Sequence, residues 1–230
     1  MAAPSHSFVT NLLFYPTIDP LSIAILHKRH TVSRHLYQKA TFLLSVANSR
    51  QLPSDQGIEV AFIGRSNTGK SSVLNRVTHN KQLARVSKTP GRTQYINLFA
   101  LDAERRLADL PGYGYAKVPP EMKKKWQALL ETYLSTRNCL KGVILVMDIR
   151  HPLKAFDQLM LDWCSQYHRP IHILLNKSDK LSRSAIKQTK VQVERAIKIY
   201  ANPISLQVFS ALTTDGTKEL QDLLNKWFCY

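Results

Sequence analysis

"GRSNTGKSS", residues 64–72, stands between a short apolar run and a helix-like stretch. Its first eight residues fit G-x-x-x-x-G-K-[ST], with Gly64, Gly69, Lys70 and Ser71 in register. Glycines let successive backbone N–H groups face a phosphate, and the following helix points the positive end of its dipole at the same group. The stretch therefore predicts a phosphate-binding loop, with Lys70 reaching the β- and γ-phosphates and Ser71 offering a hydroxyl to Mg²⁺.

Apolar strand-like runs alternate with amphipathic helix-like runs along the rest of the chain, which is typical of α/β proteins. The predicted strands lie near residues 58–63, 94–101, 105–109, 142–148, 171–175 and 204–209. Apolar stripes at helical spacing, one over residues 126–134 and one over 153–167, are predicted to face the core. We therefore expect an α/β fold with a mostly parallel six-stranded sheet and helices on both faces.

The composition points to a polyanionic partner. Of 230 residues, 32 are Lys or Arg and 16 are Asp or Glu, giving a formal charge of +16. Nucleic acid is the favoured partner, and an anionic membrane surface is the alternative. The three cysteines form no C-x-x-C pair, so neither a disulfide framework nor a zinc site is implied, and a reducing cytosol is expected. No apolar run approaches the roughly 18 residues of a membrane span, and the chain does not begin with a signal-peptide pattern.

Residues 1–38 differ from the rest, because they contain a single acid, Asp19. They are predicted to form a flexible N-terminal extension before one domain over residues 39–230. Such an acid-poor segment is compatible with an organellar transit peptide, a disordered basic arm or an over-extended start of the reading frame.

Two further short motifs follow predicted strands. "DLPG" at 109–112 offers Asp109 to the metal through a water and the Gly112 N–H to the γ-phosphate. "NKSD" at 176–179 places Asp179 at the carboxyl end of a strand, where open α/β sheets bind ligands.

The second of these motifs predicts the base. The carboxylate of Asp179 can accept hydrogen bonds from guanine N1–H and the 2-amino group, a pair that adenine lacks. "FSAL" at 209–212 adds the Ala211 N–H as a donor to guanine O6. Together the motifs indicate a guanine-nucleotide site. No G-x-S-x-G elbow supports a serine hydrolase, and the histidines show no metal-ligand spacing.

Three longer phrases carry a family resemblance. "KTPGRTQYINLF" at 88–99 supplies Thr93, whose hydroxyl could join Ser71 on Mg²⁺ when the γ-phosphate is present, as a switch. With "DLPGYGYAKVP" at 109–119 and "DIRHPLK" at 148–154, the sequence resembles the EngB family (also called YihA or YsxC), bacterial GTPases that act in assembly of the large ribosomal subunit. The resemblance covers about residues 39–230 and implies an EngB-type G domain of the P-loop GTPase fold.

The resemblance implies nucleotide contacts from five loops. They are the phosphate loop (Gly64, Arg65, Ser66, Asn67, Thr68, Gly69, Lys70, Ser71), the first switch (Gly91, Arg92, Thr93, Gln94, Tyr95), the second switch (Asp109, Leu110, Pro111, Gly112), the base-reading loop (Asn176, Lys177, Ser178, Asp179) and the last base contact (Phe209, Ser210, Ala211). Ser71 and Thr93 would hold Mg²⁺, and Lys70, Thr93 and Gly112 would act on the γ-phosphate. The family commonly has Thr in place of Asn176, but Asn is the usual residue in GTPases, so guanine specificity is still expected.

The position after the D-x-x-G glycine predicts a slow enzyme. It is Tyr113, where small GTPases that position water carry glutamine. A phenol cannot orient water as an amide does. Catalysis would therefore be completed by a partner, by a K⁺ ion near Asn67, or by the substrate itself.

The resemblance implies a molecular switch that hydrolyses GTP to GDP and phosphate. Its partners would be the large ribosomal subunit or its precursor, through ribosomal RNA and proteins, and cells would need it for growth, division and septation. The protein would be a cytoplasmic monomer without integral membrane contact. The alternatives are an RNA-binding assembly module that uses GTP as a structural ligand, and a membrane- or septum-associated division factor.

An RNA face is predicted beside the two switches, because basic residues flank both segments; the alternative is an ordinary solvated surface. It comprises Arg76, Lys81, Arg85, Lys88, Arg92, Lys117, Lys123, Lys124 and Lys125.

Overall fold

A seven-stranded sheet forms the centre of the protein. The computed structural model describes residues 36–84, 95–112 and 120–230. The strands are β1 (Thr41–Val46), β2 (Ile58–Gly64), β3 (Ile96–Ala100), β4 (Arg105–Asp109), β5 (Leu140–Asp148), β6 (Ile171–Asn176) and β7 (Ile204–Val208). Their spatial order is β1-β3-β4-β2-β5-β6-β7, and only the β1–β3 and β3–β4 pairs are antiparallel. The predicted mostly parallel sheet is confirmed.

Helices cover both faces of this sheet. They are α1 (Lys70–Val77), α2 (Pro120–Thr136), α3 (Ala155–Gln166), α4 (Arg183–Ala196) and α5 (Thr217–Phe228), with 3₁₀ turns at Ser49–Gln51, Ser178–Lys180 and Ile197–Ile199. Successive residues of a strand point to opposite faces. In β2, Val60 and Phe62 accordingly pack with α1 and α5, whereas Ala61 and Ile63 pack with α2, α3 and α4.

The two predicted apolar stripes lie in the core. Leu130 and Tyr133 of α2 and Met160 of α3 are fully buried, and Phe156 is nearly so. Burying each such side chain stabilises the fold by roughly 1.5–3 kcal/mol. The stripes therefore attach α2 and α3 to the sheet, as the sequence predicts. None of the helices in the described part of the chain is long and apolar enough to cross a bilayer.

The predicted strand count of six was wrong, because β1 was missed. Its sequence, TFLLSV, shows neither the apolar–polar alternation of a half-buried strand nor the unbroken apolar run of a central strand. It lies at the sheet edge, with Phe42 and Leu43 exposed and only Val46 fully buried. A register shift between Phe42 and Leu44 disturbs the pattern further. An exposed, bulged edge strand leaves little periodicity to detect.

The start of the described chain is already packed. The Tyr37 side chain is fully buried, and its hydroxyl donates to Asn225 Oδ1 at 2.8 Å. Its ring lies 6.5 Å from that of Phe228 and 6.4 Å from that of Tyr230. Packing thus includes a residue before the predicted boundary at residue 39. The division into extension and domain stays a prediction, and residues 1–35 lie outside the described residues.

The parallel strands bring four loops to one edge. In the register of the sheet, Phe62 of β2 pairs with Asp109, and Asp148 of β5 pairs with Asn176 of β6. The carboxyl ends of β2, β4, β5 and β6 therefore meet. We call this the nucleotide edge, because all the predicted guanine-nucleotide motifs with described residues begin or end there.

Candidate guanine-nucleotide site

The phosphate loop connects β2 to α1 in a tight turn. Both the backbone N–H and the hydroxyl of Thr68 donate to the Arg65 carbonyl, at 3.1 and 2.9 Å. Gly69 caps α1 in the left-handed region with φ 94°. A Cβ there would lie 2.4 Å from Asn176 Nδ2, and one on Gly64 would lie 2.4 Å from the Val146 carbonyl oxygen. Space and backbone conformation both explain the motif glycine at position 69, and space explains the one at 64.

The two charged residues predicted to act on the phosphates and metal are neighbours. Lys70 is the first residue of α1, Asp109 ends β4, and both side chains are buried. The Lys70 ammonium donates to Asp109 Oδ1. A buried ammonium needs an anionic partner, and here a carboxylate supplies it. Lys70 therefore has a protein partner that phosphate oxygens could replace.

Gly112 and Ser71 lie around the same loop. A Cβ on Gly112 would stand 3.6 Å from the Gly64 carbonyl oxygen and 3.8 Å from the Ser66 backbone nitrogen, so the second-switch glycine adjoins the phosphate loop. Ser71 is the second residue of α1 and is half-buried. A serine hydroxyl and the Asp109 carboxylate are hard oxygen donors of the kind Mg²⁺ prefers, so the residues present suit that ion.

Asn176 joins three of the predicted loops. Its buried side chain donates from Nδ2 to the Thr68 carbonyl at 2.8 Å and accepts the Ala211 N–H at Oδ1 at 3.2 Å. The side chain therefore fastens the phosphate loop to the base-reading loop and to the last base contact. It also occupies the Ala211 N–H that the sequence assigns to guanine O6, a role that stays a prediction.

Asp179 is held in its charged form. The Ser210 hydroxyl donates to its Oδ1 at 2.7 Å, and this hydrogen bond, helped by Lys180, lowers the pKa of the carboxyl below its ordinary value. An ionised carboxylate only accepts hydrogen bonds. That is the property that guanine N1–H and the 2-amino group require.

Backbone hydrogen bonds attach the two base loops to each other. The Ser178 N–H donates to the Phe209 carbonyl at 3.2 Å, and the Phe209 N–H donates to the carbonyl of Leu175 in β6 at 2.9 Å. Arg76 adds a side-chain contact, because its guanidinium donates to the Ala211 carbonyl at 2.9 and 2.7 Å. Arg76 is half-buried and has partners within the protein, while its predicted place in an RNA face stays a prediction.

Sequence reasoning missed Asp148 and Arg150 as members of this edge. Lys177 Nζ donates to the Asn67 carbonyl at 2.5 Å and to Asp148 Oδ2 at 2.9 Å. Arg150 holds the same carboxylate through Nε and Nη2, at 2.9 and 2.7 Å. Burial opposes the charge of Asp148, but the bonds from Arg150 and Lys177 prevail and hold its pKa well below the usual range. The sequence signal that could have identified Asp148 is its position as an acid at the carboxyl end of a predicted strand.

Part of the predicted site lies outside the described residues. This applies to Gly91, Arg92, Thr93 and Gln94 of the first switch and to Tyr113 after the second. Tyr95, the last residue of the first switch, is described and exposed. The Mg²⁺ role of Thr93 and the effect of Tyr113 on hydrolysis stay predictions. In the second switch, Leu110 and Pro111 are buried.

Three comparisons with known proteins agree with this geometry. A family model described as a 50S ribosome-binding GTPase matches residues 59–177. The probable GTP-binding protein EngB of Coxiella burnetii (strain RSA 331 / Henzerling II) is 56% identical over 192 residues, which is 84% of this chain and 94% of that protein. The same protein of strain CbuG_Q212 gives the same values.

Solved structures show the same fold. The crystal structure of a probable GTP-binding protein engB has a TM-score of 0.61 at 19% identity, covering 74% of this chain and 98% of that one. Era in complex with MgGDPNP and nucleotides 1506–1542 of 16S ribosomal RNA has a TM-score of 0.58 at 19% identity, covering 75% and 57%. At such identities the likeness concerns the fold alone, and the predicted P-loop GTPase fold is confirmed.

Proposed function

The chain belongs to the EngB family of GTP-binding proteins, and on that premise we propose that it is a slow GTPase switch in assembly of the large ribosomal subunit. Binding of GTP and GDP and GTPase activity follow from the family. The observation that carries the proposal is the Asn176 side chain, which ties the phosphate loop to both base loops. A nucleotide that fills one loop would therefore influence the others.

The residues of this chain have separable roles in the proposed reaction. Lys70 would exchange its Asp109 partner for phosphate oxygens, which places positive charge where negative charge develops during phosphoryl transfer. Asp179 would bind guanine, and Lys177 would support the loop at Asn67. Bound Mg²⁺, held by Ser71 and Thr93, would supply positive charge to the β- and γ-phosphate oxygens.

Slow turnover is proposed from Tyr113, which replaces a water-orienting glutamine. A monovalent cation near Asn67 would compensate for the missing charge. Asn67 is exposed and adopts a left-handed backbone with φ 65°, while its carbonyl is taken by Lys177. Its side chain is therefore the group to test for K⁺, by measuring turnover in equal concentrations of KCl and NaCl.

The basic composition supports an RNA-containing partner, because +16 is more positive charge than a single nucleotide neutralises. We propose that this partner is the large ribosomal subunit or its precursor. We also propose that the protein itself is a cytoplasmic monomer, and that cells need it for growth, division and septation because it supports the supply of ribosomes. The family model's description, a 50S ribosome-binding GTPase, supports this choice.

Two measurements test the proposal. Phosphate release with and without large subunits should differ, and the protein should sediment with these subunits more in a non-hydrolysable GTP analogue than in GDP. Subunit binding without turnover would favour the structural-ligand alternative. Sedimentation with membranes rather than subunits would favour the septum-associated alternative.

A further inference from the structure

Helix α4 carries an exposed basic face away from the predicted switches. Between residues 180 and 198 the chain has six basic residues, which are Lys180, Arg183, Lys187, Lys190, Arg195 and Lys198, and one acid, Glu194. All six lie at or near the surface, and the side chains of Lys180 and Lys190 are 54% and 45% exposed. We call these six residues the α4 basic face.

Most of this charge is not neutralised by the protein. Lys190 lies 3.8 Å from Glu194 in a solvent-exposed pair, which contributes little, and Lys180 lies 3.2 Å from Asp179. The other four residues of the face have no carboxylate within 4.0 Å among the residues that the structure describes. By contrast, Arg76, Arg106 and Arg137 all donate to protein oxygens.

The rest of α4 favours RNA over a membrane surface. Its apolar residues Ile186 and Val193 pack in the core, as does Ile197 just beyond the helix. Val191 is half-buried and Ile199 is exposed, but two such residues do not form the continuous apolar stripe of a helix that lies in a membrane surface. The outward surface carries Gln188 and Gln192, whose amides can donate to phosphate and sugar oxygens. From Arg183 to Arg195 the face spans ~18 Å, enough to meet several phosphates of a duplex.

The face is also separate from the predicted γ-phosphate contacts. Its helix begins after the Ser182 N-cap, close in sequence to Asp179, and leads to β7, which starts at the opposite edge of the sheet. None of the residues predicted to act on the γ-phosphate belongs to it. We propose that the α4 basic face binds the phosphate backbone of RNA in both the GTP and GDP states, as an anchor that does not depend on the switches.

This inference rests on the proposed function for the identity of the RNA, which would be that of the ribosomal particle. The full chain and a variant with Arg183→Glu, Lys187→Glu and Arg195→Glu should be compared. A control with Lys141→Glu, Lys218→Glu and Lys226→Glu changes the net charge equally at exposed positions elsewhere. A third variant with glutamine at the three α4 positions guards against a fold damaged by repulsion, and GDP affinity reports folding in each protein.

The probes are large ribosomal subunits, deproteinised ribosomal RNA, and vesicles of phosphatidylcholine with phosphatidylglycerol. In GTP analogue and GDP alike, the α4 variant should bind subunits and RNA at least about tenfold more weakly, and the slope of log K against log salt should fall by about 3, near 1 for each phosphate contact removed. The control should bind as the parent does, and the glutamine variant should show a smaller loss of the same kind.

Four results would overturn the inference: unchanged RNA binding and salt slope, a loss equal in the control, a loss confined to one nucleotide state, or a loss of vesicle binding alone. The proposed function fails separately, when the parent protein binds RNA but no ribosomal subunit in either state.

Discussion

The two ends of the parallel strands both carry buried charge but use it differently. At the nucleotide edge, the buried side chains of Lys70 and Asp109 form one ion pair. At the opposite edge, Glu59 is fully buried and accepts four hydrogen bonds, from Arg106 and Tyr133 at 2.9 Å each and from Arg137 at 2.6 and 3.0 Å.

The difference separates a ligand site from a structural one. Burial opposes the charge of Glu59, yet the bonds from Arg137 and its neighbours prevail and lower its pKa. Both carboxylate oxygens of Glu59 accept hydrogen bonds from the protein, whereas Lys70 and Asp109 could exchange each other for a nucleotide and its metal. Substitutions at the opposite edge should therefore change folding stability, and substitutions at the nucleotide edge should change binding.

The largest effect is expected from Glu59→Ala. Removing the carboxylate leaves Arg106 buried without its charged partner and Arg137 with only Asp55, at 3.8 Å, and breaking such a buried pair typically costs about 3–5 kcal/mol. Urea unfolding should show this loss, while GDP affinity of the folded fraction stays unchanged. Exposed Glu104→Ala, the control, should change stability by less than about 0.5 kcal/mol. A Glu59 variant as stable as the parent would contradict the structural role.

Asp179→Asn should give the next largest effect, on binding rather than stability. It removes the charged acceptor of two guanine donors, so GTP affinity should fall roughly 100-fold, or about 3 kcal/mol. The variant should prefer xanthosine nucleotides, because the side-chain amide can donate to their 2-oxo group. Asparagine keeps an oxygen for the Ser210 hydroxyl, so unfolding should be nearly unaffected. An unchanged preference for guanine would mean that another residue reads the base.

The strand-end motifs were predictable because backbone geometry requires them. Gly64 and Gly69 adjoin atoms that leave no room for a side chain, and the parallel strands that precede Asp109 and Asn176 must end at one edge. Side-chain partners were not predictable in the same way. Glu59, Arg106 and Arg137 are far apart in sequence. From the sequence alone such charged residues are expected at the surface, and only the folded sheet shows that they form buried ion pairs. The net charge of the chain includes these arginines, although they are paired with carboxylates inside the fold and are not available to bind RNA.

His172 gives a smaller, pH-dependent effect at the opposite edge. It is buried between Ser205 and Gln207, at 2.7 and 3.1 Å, and burial lowers its pKa to about 4 from 6.5. The unfolded chain therefore binds the proton more readily than the folded protein. The contribution of neutral His172 to the free energy of unfolding is complete above pH 6.5 and is lost as pH falls toward 4. Between pH 7.5 and 5 the loss should be about 2 kcal/mol.

The measurement is urea unfolding of the parent and His172→Gln across this pH range. Asp157 must cancel in the comparison, because burial raises its pKa to about 6, and its effect has the opposite sign, with stability lost as pH rises. The difference between the two proteins removes that shared term. Parallel stability curves for the parent and the variant would exclude His172 as the source.

The smallest predicted effect concerns Asp148→Asn at the nucleotide edge. The variant keeps the size of the side chain but weakens its hold on Lys177 and Arg150, and through Lys177 its hold on the Asn67 carbonyl. Because the group is partly solvated, GTP and GDP affinities should both fall by only about 1 kcal/mol, or roughly fivefold.

A double-mutant cycle tests whether this effect passes through Lys177. If it does, Asp148→Asn should add little in a Lys177→Met background, because the contact it weakens is already gone. Arg150→Met is the matched control, since it removes the other partner of Asp148 and leaves the link from Lys177 to Asn67 in place. Additive losses would separate Asp148 from the phosphate loop and reduce it to a surface ion pair. Coupled losses would show that Asp148 acts on the nucleotide through the Lys177 side chain.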